Sequence, residues 1–179
     1  MTLQYRPAEE DDADGIARVH VSGWRTTYVG LIPDETLANL SVERRAEAWT
    51  ESITRGANYI FVVVDGEEIV GFVAGGPERE ETLRRTDRLP FDGELYALYI
   101  LEEFQRRGIG TELFRLLAAA LVMAGFSRML VWVLTENELG CRFYEARGGV
   151  FETRRVVRIV GVDLEETGYG WELPVDQER

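Results

Sequence analysis

Apolar and polar positions alternate along the first half of the chain in patterns that predict both helices and strands. A short strand over residues 4–8 precedes a run, 11–28, in which apolar side chains recur at helical spacing. A second helix over 41–53 begins at Ser41, a residue type that caps helix N-termini well. Two runs rich in β-branched and aromatic residues follow and predict an antiparallel hairpin: 58–64 and 69–74.

The second half continues this alternation after a polar and charged stretch, residues 75–92, which we predict to be a mobile surface loop beside a functional site. The elements predicted after this loop are, in chain order, a strand over 94–101, a helix over 108–125, a strand over 129–134, a helix over 137–147 and a hairpin over 150–160 and 162–173. Helices and strands are interspersed, which predicts a mixed α/β fold with a partly antiparallel sheet.

Length and charge narrow the class of protein. The chain has 179 residues, close to the length of one domain, roughly 150 residues, so we expect a single domain over 1–179. A net charge of −12, from 20 basic and 32 acidic residues, repels polyanions and argues against a nucleic-acid partner. The same charge favours a cationic partner, although acidity is also a common route to solubility.

The chain offers little for membrane, disulfide or metal chemistry. No run reaches the about 18 apolar residues of a membrane span, and the N-terminus turns acidic early, unlike a signal peptide. We therefore expect a cytoplasmic protein with no membrane partner. One cysteine and one histidine, Cys141 and His20, leave little material for a disulfide or a zinc site, so we expect no metal.

A loop rich in arginine and glycine links the strand over 94–101 to the helix over 108–125. It reads Phe104-Gln105-Arg106-Arg107-Gly108-Ile109-Gly110-Thr111. The first N–H groups of a helix have no partner inside it, and the helix dipole places partial positive charge there. Glycines let an anion approach the backbone, and arginines add charged donors. The loop therefore suits a phosphate group, and a helix start without a ligand is the alternative. The P-loop and dinucleotide motifs do not match it.

This loop resembles motif A of the GNAT superfamily of acetyl-CoA-dependent N-acetyltransferases, whose signature is Gln/Arg-x-x-Gly-x-Gly/Ala. The segment 137–149 resembles the family's motif B, with five residues at typical spacing: Asn137, Phe143, Tyr144, Glu145 and Gly148. The opening, residues 5–24, resembles the N-terminal strand and helix of many small members. The resemblance covers nearly the whole chain.

The resemblance implies a GNAT acyl-CoA N-acyltransferase fold, a mixed central sheet of about seven strands with about four flanking helices. The sheet would be splayed between the strands near 94–101 and 129–134. It also implies an N-acetyltransferase that moves an acetyl group from acetyl-CoA to a primary amine of a small molecule or peptide, by direct attack in a ternary complex. A non-catalytic acyl-CoA-binding regulatory module on the same fold is the alternative. The family often forms dimers, so a homodimer is a further expectation by analogy.

Carried over residue by residue, the resemblance implies a cofactor-binding set. Backbone groups at the end of the strand before the loop match those that bind the pantetheine arm: Leu98, Tyr99 and Ile100. An N–H among them also fits the oxyanion-donor role. The loop residues match those that hold the pyrophosphate: Gln105, Arg106, Arg107, Gly108, Ile109, Gly110 and Thr111. Asn137 matches an asparagine on the pantetheine side, and capping the helix that follows is a second role open to it.

The resemblance also implies two catalytic residues. Tyr144 matches the tyrosine that points at the sulfur and can protonate it, and core packing beside Phe143 is its alternative. Glu94 lies eleven residues before Gln105, the offset at which histone-acetylating members carry their general base. Partial burial would raise the pKa of Glu94 into a range suited to a base. A solvated strand-end charge is the alternative, and many members deprotonate the amine through water chains.

The first helix lies where the family forms its acceptor wall. Trp24 and Tyr28 are four residues apart and share a helix face. We expect Trp24 to pack in the core and Tyr28 to line the acceptor pocket, where an aromatic face contacts an ammonium group. A structural role is expected for His20. The sequence leaves open which amine is acetylated, whether the acyl group is strictly acetyl, and the oligomeric state.

Overall fold

The computed structural model describes residues 3–79 and 91–175. Within these residues the chain forms seven strands and five α-helices. The strands are β1 Gln4–Pro7, β2 Tyr59–Asp65, β3 Glu68–Pro77, β4 Gly93–Ile100, β5 Arg128–Leu134, β6 Val150–Ile159 and β7 Val162–Glu172. The helices are α1 Ala13–Thr27, α2 Asp34–Ala38, α3 Val42–Arg55, α4 Ile109–Met123 and α5 Glu138–Glu145. The mixed α/β prediction is confirmed.

The strands form one sheet in the order β1-β2-β3-β4-β5-β7-β6. β1 is antiparallel to β2, and β7 is antiparallel to both β5 and β6. β4 pairs in parallel with β5, and this ladder joins Gly93–Leu95 to Met129–Val131. The predicted splay between these two strands beyond the ladder stays a prediction.

Residue contacts divide the chain into two compact units. The first takes the described residues of Met1–Ala74 and Ala97–Leu117, and the second those of Gly75–Tyr96 and Ala118–Arg179. Each unit has its own buried apolar residues. In the first, side chains of α1 and of β2 and β3 pack together with almost no exposure: Ile16, Val19, Val62 and Phe72. In the second, those of α4 and β5 are equally buried: Leu121, Met129 and Leu130. The single-domain expectation stays a prediction.

Local signals in the sequence explain several element boundaries. The Ser41 hydroxyl accepts a hydrogen bond from the Arg44 N–H at 3.1 Å, which caps α3 as predicted. The same helix ends at Gly56 in the left-handed conformation, with φ of 62°. Gly23 lets α1 approach β4 closely, because a Cβ at that position would lie 2.2 Å from Cδ1 of Tyr99.

One helix was not predicted, and one predicted boundary is wrong. α2, a helix of five residues, follows Pro33 in a segment for which the sequence patterns predicted no helix. β3 continues through Pro77, so the first residues of the predicted loop over 75–92 belong to a strand. Residues 80–90 of that loop lie outside the described residues. Among the helices of the described part, none combines the length and the apolar character that crossing a membrane requires.

Candidate functional site

The turn from β4 into α4 has an unusual backbone. After β4 the chain makes a 3-10 turn over Glu102–Phe104 and then enters α4 at Ile109. Arg106 has φ of 59° and Gly108 has φ of 81°, so two residues close together are left-handed. Left-handed residues that alternate with right-handed ones turn successive N–H groups toward one side, and this arrangement makes an anion-binding concavity. Holding a non-glycine residue such as Arg106 in the left-handed conformation costs about 1 kcal/mol of conformational free energy.

Side chains of the loop support its shape. Gln105 donates through Nε2 to the carbonyl oxygen of Ile100 at 3.1 Å, which ties the loop to the end of β4. Arg107 donates through Nη2 to the Glu103 carbonyl oxygen at 2.6 Å, and its guanidinium lies 5.0 Å from the Phe104 ring centre. Gln105 and Arg107 therefore brace the loop itself.

The remaining loop residues divide into buried and exposed ones. Ile109 and Gly110 are buried, so they anchor the start of α4 and offer a ligand their backbone alone. Arg106, Gly108 and Thr111 are exposed. A Cβ placed on Gly108 meets no atom within 4 Å, so the space beside its backbone is open. An anion could approach the helix start from that side.

At the end of β4, Tyr99 belongs to an aromatic cluster of the first unit. Its ring stacks on His20 with 5.0 Å between ring centres and 25° between planes. Nδ1 of His20 accepts a hydrogen bond from Nε1 of Trp49 at 3.1 Å, which places the imidazole proton on Nε2. Burial, and then the positive charge of Arg45, lower the pKa of His20 from 6.5 to about 3. An uncharged imidazole that packs among aromatic rings agrees with the structural role expected for His20.

Tyr28 and Trp24 stack on each other with ring centres 4.5 Å apart. Tyr28 is buried, with 7% of its surface exposed, whereas Trp24 is only partly buried. Arg45 covers the Trp24 ring at 5.4 Å. Tyr28 follows the last residue of α1, and its carbonyl oxygen accepts hydrogen bonds from the backbone N–H groups of Leu31 and Ile32. A role for Tyr28 in acceptor binding stays a prediction.

In the second unit, Glu94 is buried and paired with Arg79. Its carboxylate is 1% exposed, because the first residues of β4 lie in the core. Oε1 accepts from Nη2 and Nε of Arg79 at 2.5 and 3.2 Å, and Oε2 accepts from the Arg79 backbone N–H at 3.1 Å. The alternative of a solvated strand-end charge is therefore wrong. The base role of Glu94 stays a prediction, and it now requires that the amine displaces the Arg79 guanidinium from Oε1.

Tyr96 completes this arrangement. The Arg79 guanidinium lies 4.3 Å from its ring centre, and its hydroxyl donates to the Pro77 carbonyl oxygen at 2.5 Å. Burial, and then the charge of Glu94, raise the pKa of Tyr96 to about 12. The sequence did not point to Arg79, because it lies in a run of charged residues fifteen positions before Glu94 and such runs are normally solvated.

The residues of the second motif lie on α5 and beside it. Tyr144 is 7% exposed and contacts the rings of Phe143 and Trp171 edge to face. Burial raises the pKa of its hydroxyl above the ordinary 10.0, so the phenol stays protonated. Oδ1 of Asn137 accepts from the Gly140 N–H at 3.0 Å, which confirms the capping role. The roles of Tyr144 as acid and of Asn137 in pantetheine binding stay predictions.

Comparison with known proteins places this geometry in a family. The Acetyltransferase (GNAT) family matches residues 24–149, well over half of the chain. The uncharacterized N-acetyltransferase YuaI of Bacillus subtilis (strain 168) is 38% identical over 167 residues, which cover 93% of this chain and 91% of YuaI. The chain belongs to the GNAT acetyltransferase family. It is therefore an acyltransferase.

Solved structures agree on the fold of this GNAT protein. The PaiA N-acetyltransferase of Thermoplasma acidophilum, in complex with coenzyme A, matches with a TM-score of 0.71 at 19% identity, over 93% of this chain and 98% of PaiA. YncA of Salmonella typhimurium, described as a putative acetyltransferase with its cofactor acetyl-CoA, matches with a TM-score of 0.70 at 17% identity, over 100% and 97% of the two chains. The predicted GNAT fold class is confirmed.

The buried imidazole gives this GNAT protein a pH-dependent stability that can be measured. The pKa of His20 is about 3 in the folded state and 6.5 when exposed, so below pH 6.5 the unfolded chain binds a proton that the folded chain excludes. Stability contributed by His20 is full above that pH and falls toward pH 3. We expect a loss of about 2 kcal/mol at pH 5 relative to pH 7.5.

Urea unfolding of the wild type and of His20→Gln at both pH values checks this expectation. A glutamine side chain does not titrate, so the stability of this variant should change less between the two pH values. Carboxylates affect both proteins equally, and the difference between them isolates His20. Equal pH dependence of the two proteins would contradict the expected pKa.

Proposed function

We propose that this chain transfers an acetyl group from acetyl-CoA to a primary amine of a small molecule or peptide, by direct attack of the amine in a ternary complex. The observation that carries the proposal is the left-handed backbone at Arg106 and Gly108, directly before a helix start. Membership of the acetyltransferase family supports it. PaiA with coenzyme A and YncA with acetyl-CoA, which share the fold, also support it.

The residues present suit coenzyme A as the donor-side ligand. In the proposal, backbone N–H groups of 106–111 bind its pyrophosphate, and the open space beside Gly108 admits the anion. The extended backbone of Leu98, Tyr99 and Ile100 pairs with the amide groups of the pantetheine arm. Acetyl-CoA supplies an activated thioester carbonyl when bound.

Acetyl transfer forms a C–N bond, breaks a C–S bond and moves one proton at each end. In the proposal, Oε1 of Glu94 exchanges the Arg79 guanidinium for the substrate, and the carboxylate then accepts the proton that the amine loses. Tyr144, which burial keeps protonated, gives a proton to the departing sulfur. A backbone N–H near Tyr99 or Ile100 donates to the carbonyl oxygen as negative charge develops on it. The homodimer, the cytoplasmic location and the single domain stay predictions.

Two glycines in the left-handed region, Gly108 and Gly56, allow a controlled test of the proposed phosphate-binding loop. Gly108 and Gly56 have φ of 81° and 62°, and a Cβ on either meets no atom within 4 Å. Gly108→Asp should weaken coenzyme A binding about tenfold or more, since a carboxylate beside the pyrophosphate repels it. Gly56→Asp carries the same strain at the end of α3 and should bind coenzyme A like the wild type.

Titration calorimetry with coenzyme A measures both variants, and urea unfolding compares their stabilities. Equal affinities of Gly108→Asp and Gly56→Asp for coenzyme A would show that the loop does not bind the donor. That result would count against acetyl-CoA as the donor.

The acid role of Tyr144 predicts a selective loss of turnover. Tyr144→Phe keeps the ring contacts with Phe143 and Trp171 but cannot protonate the sulfur, so kcat should fall about 100-fold with little change in KM for acetyl-CoA. Tyr169→Phe is the matched control, because its hydroxyl instead donates to Glu145 within the protein. Release of the coenzyme A thiol measures both. Unchanged turnover of Tyr144→Phe would leave Tyr144 with core packing alone.

The base role of Glu94 predicts a change in the pH–rate profile. Glu94→Gln should lower kcat/KM about 100-fold and remove the acidic limb of the profile, because the amide cannot accept the amine proton. Asp12→Asn breaks another ion pair of a largely buried carboxylate, that with Arg6, and serves as control, with kcat/KM and the acidic limb expected to stay as in the wild type. An acidic limb that persists in Glu94→Gln would assign deprotonation to a water chain.

A further inference from the structure

Trp132 lies on β5, on the same face of the sheet as Glu94. The ladder between β4 and β5 pairs Glu94 with Leu130, so these two side chains point to one face. Side chains two residues apart on a strand share a face, which places Trp132 there as well. On β7 its partner is Gly168. All of these residues belong to the second unit.

The Trp132 ring is held from two sides. A Cβ on Gly168 would lie 3.0 to 3.3 Å from Cζ3, Cη2 and Cε3, so the missing side chain of this glycine makes room for the six-membered edge of the ring. The guanidinium of Arg155 lies 3.9 Å from the ring centre. Arg155 is itself fixed by Glu166 at 2.6 and 2.7 Å, and both side chains are largely buried. The indole therefore has a defined orientation.

This orientation leaves the indole N–H without a protein partner. Nε1 belongs to the five-membered ring, on the side away from the edge at Gly168. It is buried and makes no hydrogen bond within the part of the chain that the structure describes. Two other tryptophans use this group inside the protein: Trp49 donates to His20 and Trp171 to the Arg147 carbonyl oxygen, at 3.1 and 2.9 Å. A buried donor without an acceptor is rare and costly, so it calls for an explanation.

We propose that the N–H of Trp132 donates to a carbonyl or carboxylate oxygen of the acceptor substrate. An indole N–H can only donate, so the matching ligand atom is a hydrogen-bond acceptor. The preferred substrates are then amines that carry such an oxygen close to the amino group, as amino-acid amides and peptide N-termini do, rather than plain alkylamines. This inference rests on the proposed function, since it assigns the oxygen to the acceptor because Trp132 shares the face of Glu94.

The charges around Trp132 agree with this substrate class. Three ion pairs of the described residues lie on this face, Arg79 with Glu94, Arg155 with Glu166 and Arg128 with Glu172, and each pair is neutral overall. The face therefore supplies a directed neutral donor and no excess positive charge. An uncharged carbonyl oxygen can accept from this N–H without a counter-ion. A carboxylate buried there would lack a cation to neutralise it.

The first experiment observes the indole directly. Protein labelled with ¹⁵N in its tryptophans is saturated with coenzyme A and titrated with phenylalaninamide or with phenethylamine, which lacks only the carboxamide. Trp132→Phe identifies the Trp132 signal. We expect this signal to move downfield with phenylalaninamide and to stay with phenethylamine, while the Trp171 signal stays in both. A shift on adding coenzyme A alone, or no shift with the amide, overturns the proposal.

The second experiment measures preference in turnover. The ratio of kcat/KM for leucinamide to that for isopentylamine should favour the amide in the wild type, and Trp132→Phe should lower the ratio about tenfold. Trp171→Phe removes an internal indole hydrogen bond and should leave the ratio as it is. An unchanged ratio in Trp132→Phe overturns the inference. Failure of the proposed function has a different signature, which is bound acetyl-CoA without thiol release for any amine.

Discussion

The first N–H groups of any helix have no partners inside it, and the backbone of the turn before α4 determines what they can bind. Arg106 and Gly108 are both left-handed, so the chain enters the helix with its amides directed to one side. Ile109 and Gly110 are buried and fix the helix start against the core. Gln105 joins the turn to the end of β4 through the Ile100 carbonyl oxygen. In the proposed function this braced backbone binds the pyrophosphate, and a turn that is already shaped in the protein alone lowers the entropy lost on binding.

Burial of charge is the second constraint, and it acts at the start of β4. A carboxylate such as Glu94 cannot be buried without compensation, and Arg79 provides it through three hydrogen bonds. If Glu94 is the base, an incoming ammonium group competes with this guanidinium for Oε1. The exchange replaces one cation by another, so the buried carboxylate is never left uncompensated. The net charge of −12 adds a long-range attraction for a cationic amine.

Most of the fold could be predicted from the sequence because its signals are local. Alternation, helical spacing and the cap at Ser41 act over a few residues, and they gave the elements of the sheet in the right order. α2 was missed because five residues carry too little periodicity to distinguish a helix from a turn. The extension of β3 to Pro77 was missed because glycine and proline ordinarily end a strand.

The candidate site was predictable in its backbone and much less so in its side chains. The glycines and arginines of 105–110 lie together in the sequence, so the loop can be recognised from the sequence alone. The partners of Glu94 and His20 lie 15 and 29 positions away along the chain, and only folding brings them into contact. The unpartnered N–H of Trp132 likewise depends on Gly168 and Arg155, which come from two other strands. Sequence patterns report local chemistry and leave such distant pairs unseen.

In the proposed function the donor and the acceptor are recognised by different parts of the protein, the donor by backbone groups and the acceptor by side chains. A pyrophosphate is bound by backbone N–H groups, whose position depends on the turn and tolerates many changes of side chain. An acceptor is distinguished by side chains on the sheet, where a single substitution adds or removes a donor. Family membership therefore carries strong support for the donor and little for the acceptor, even at 38% identity to a relative. Acceptor specificity in this chain must be sought in groups such as the Trp132 N–H, which makes no hydrogen bond among residues 3–79 and 91–175.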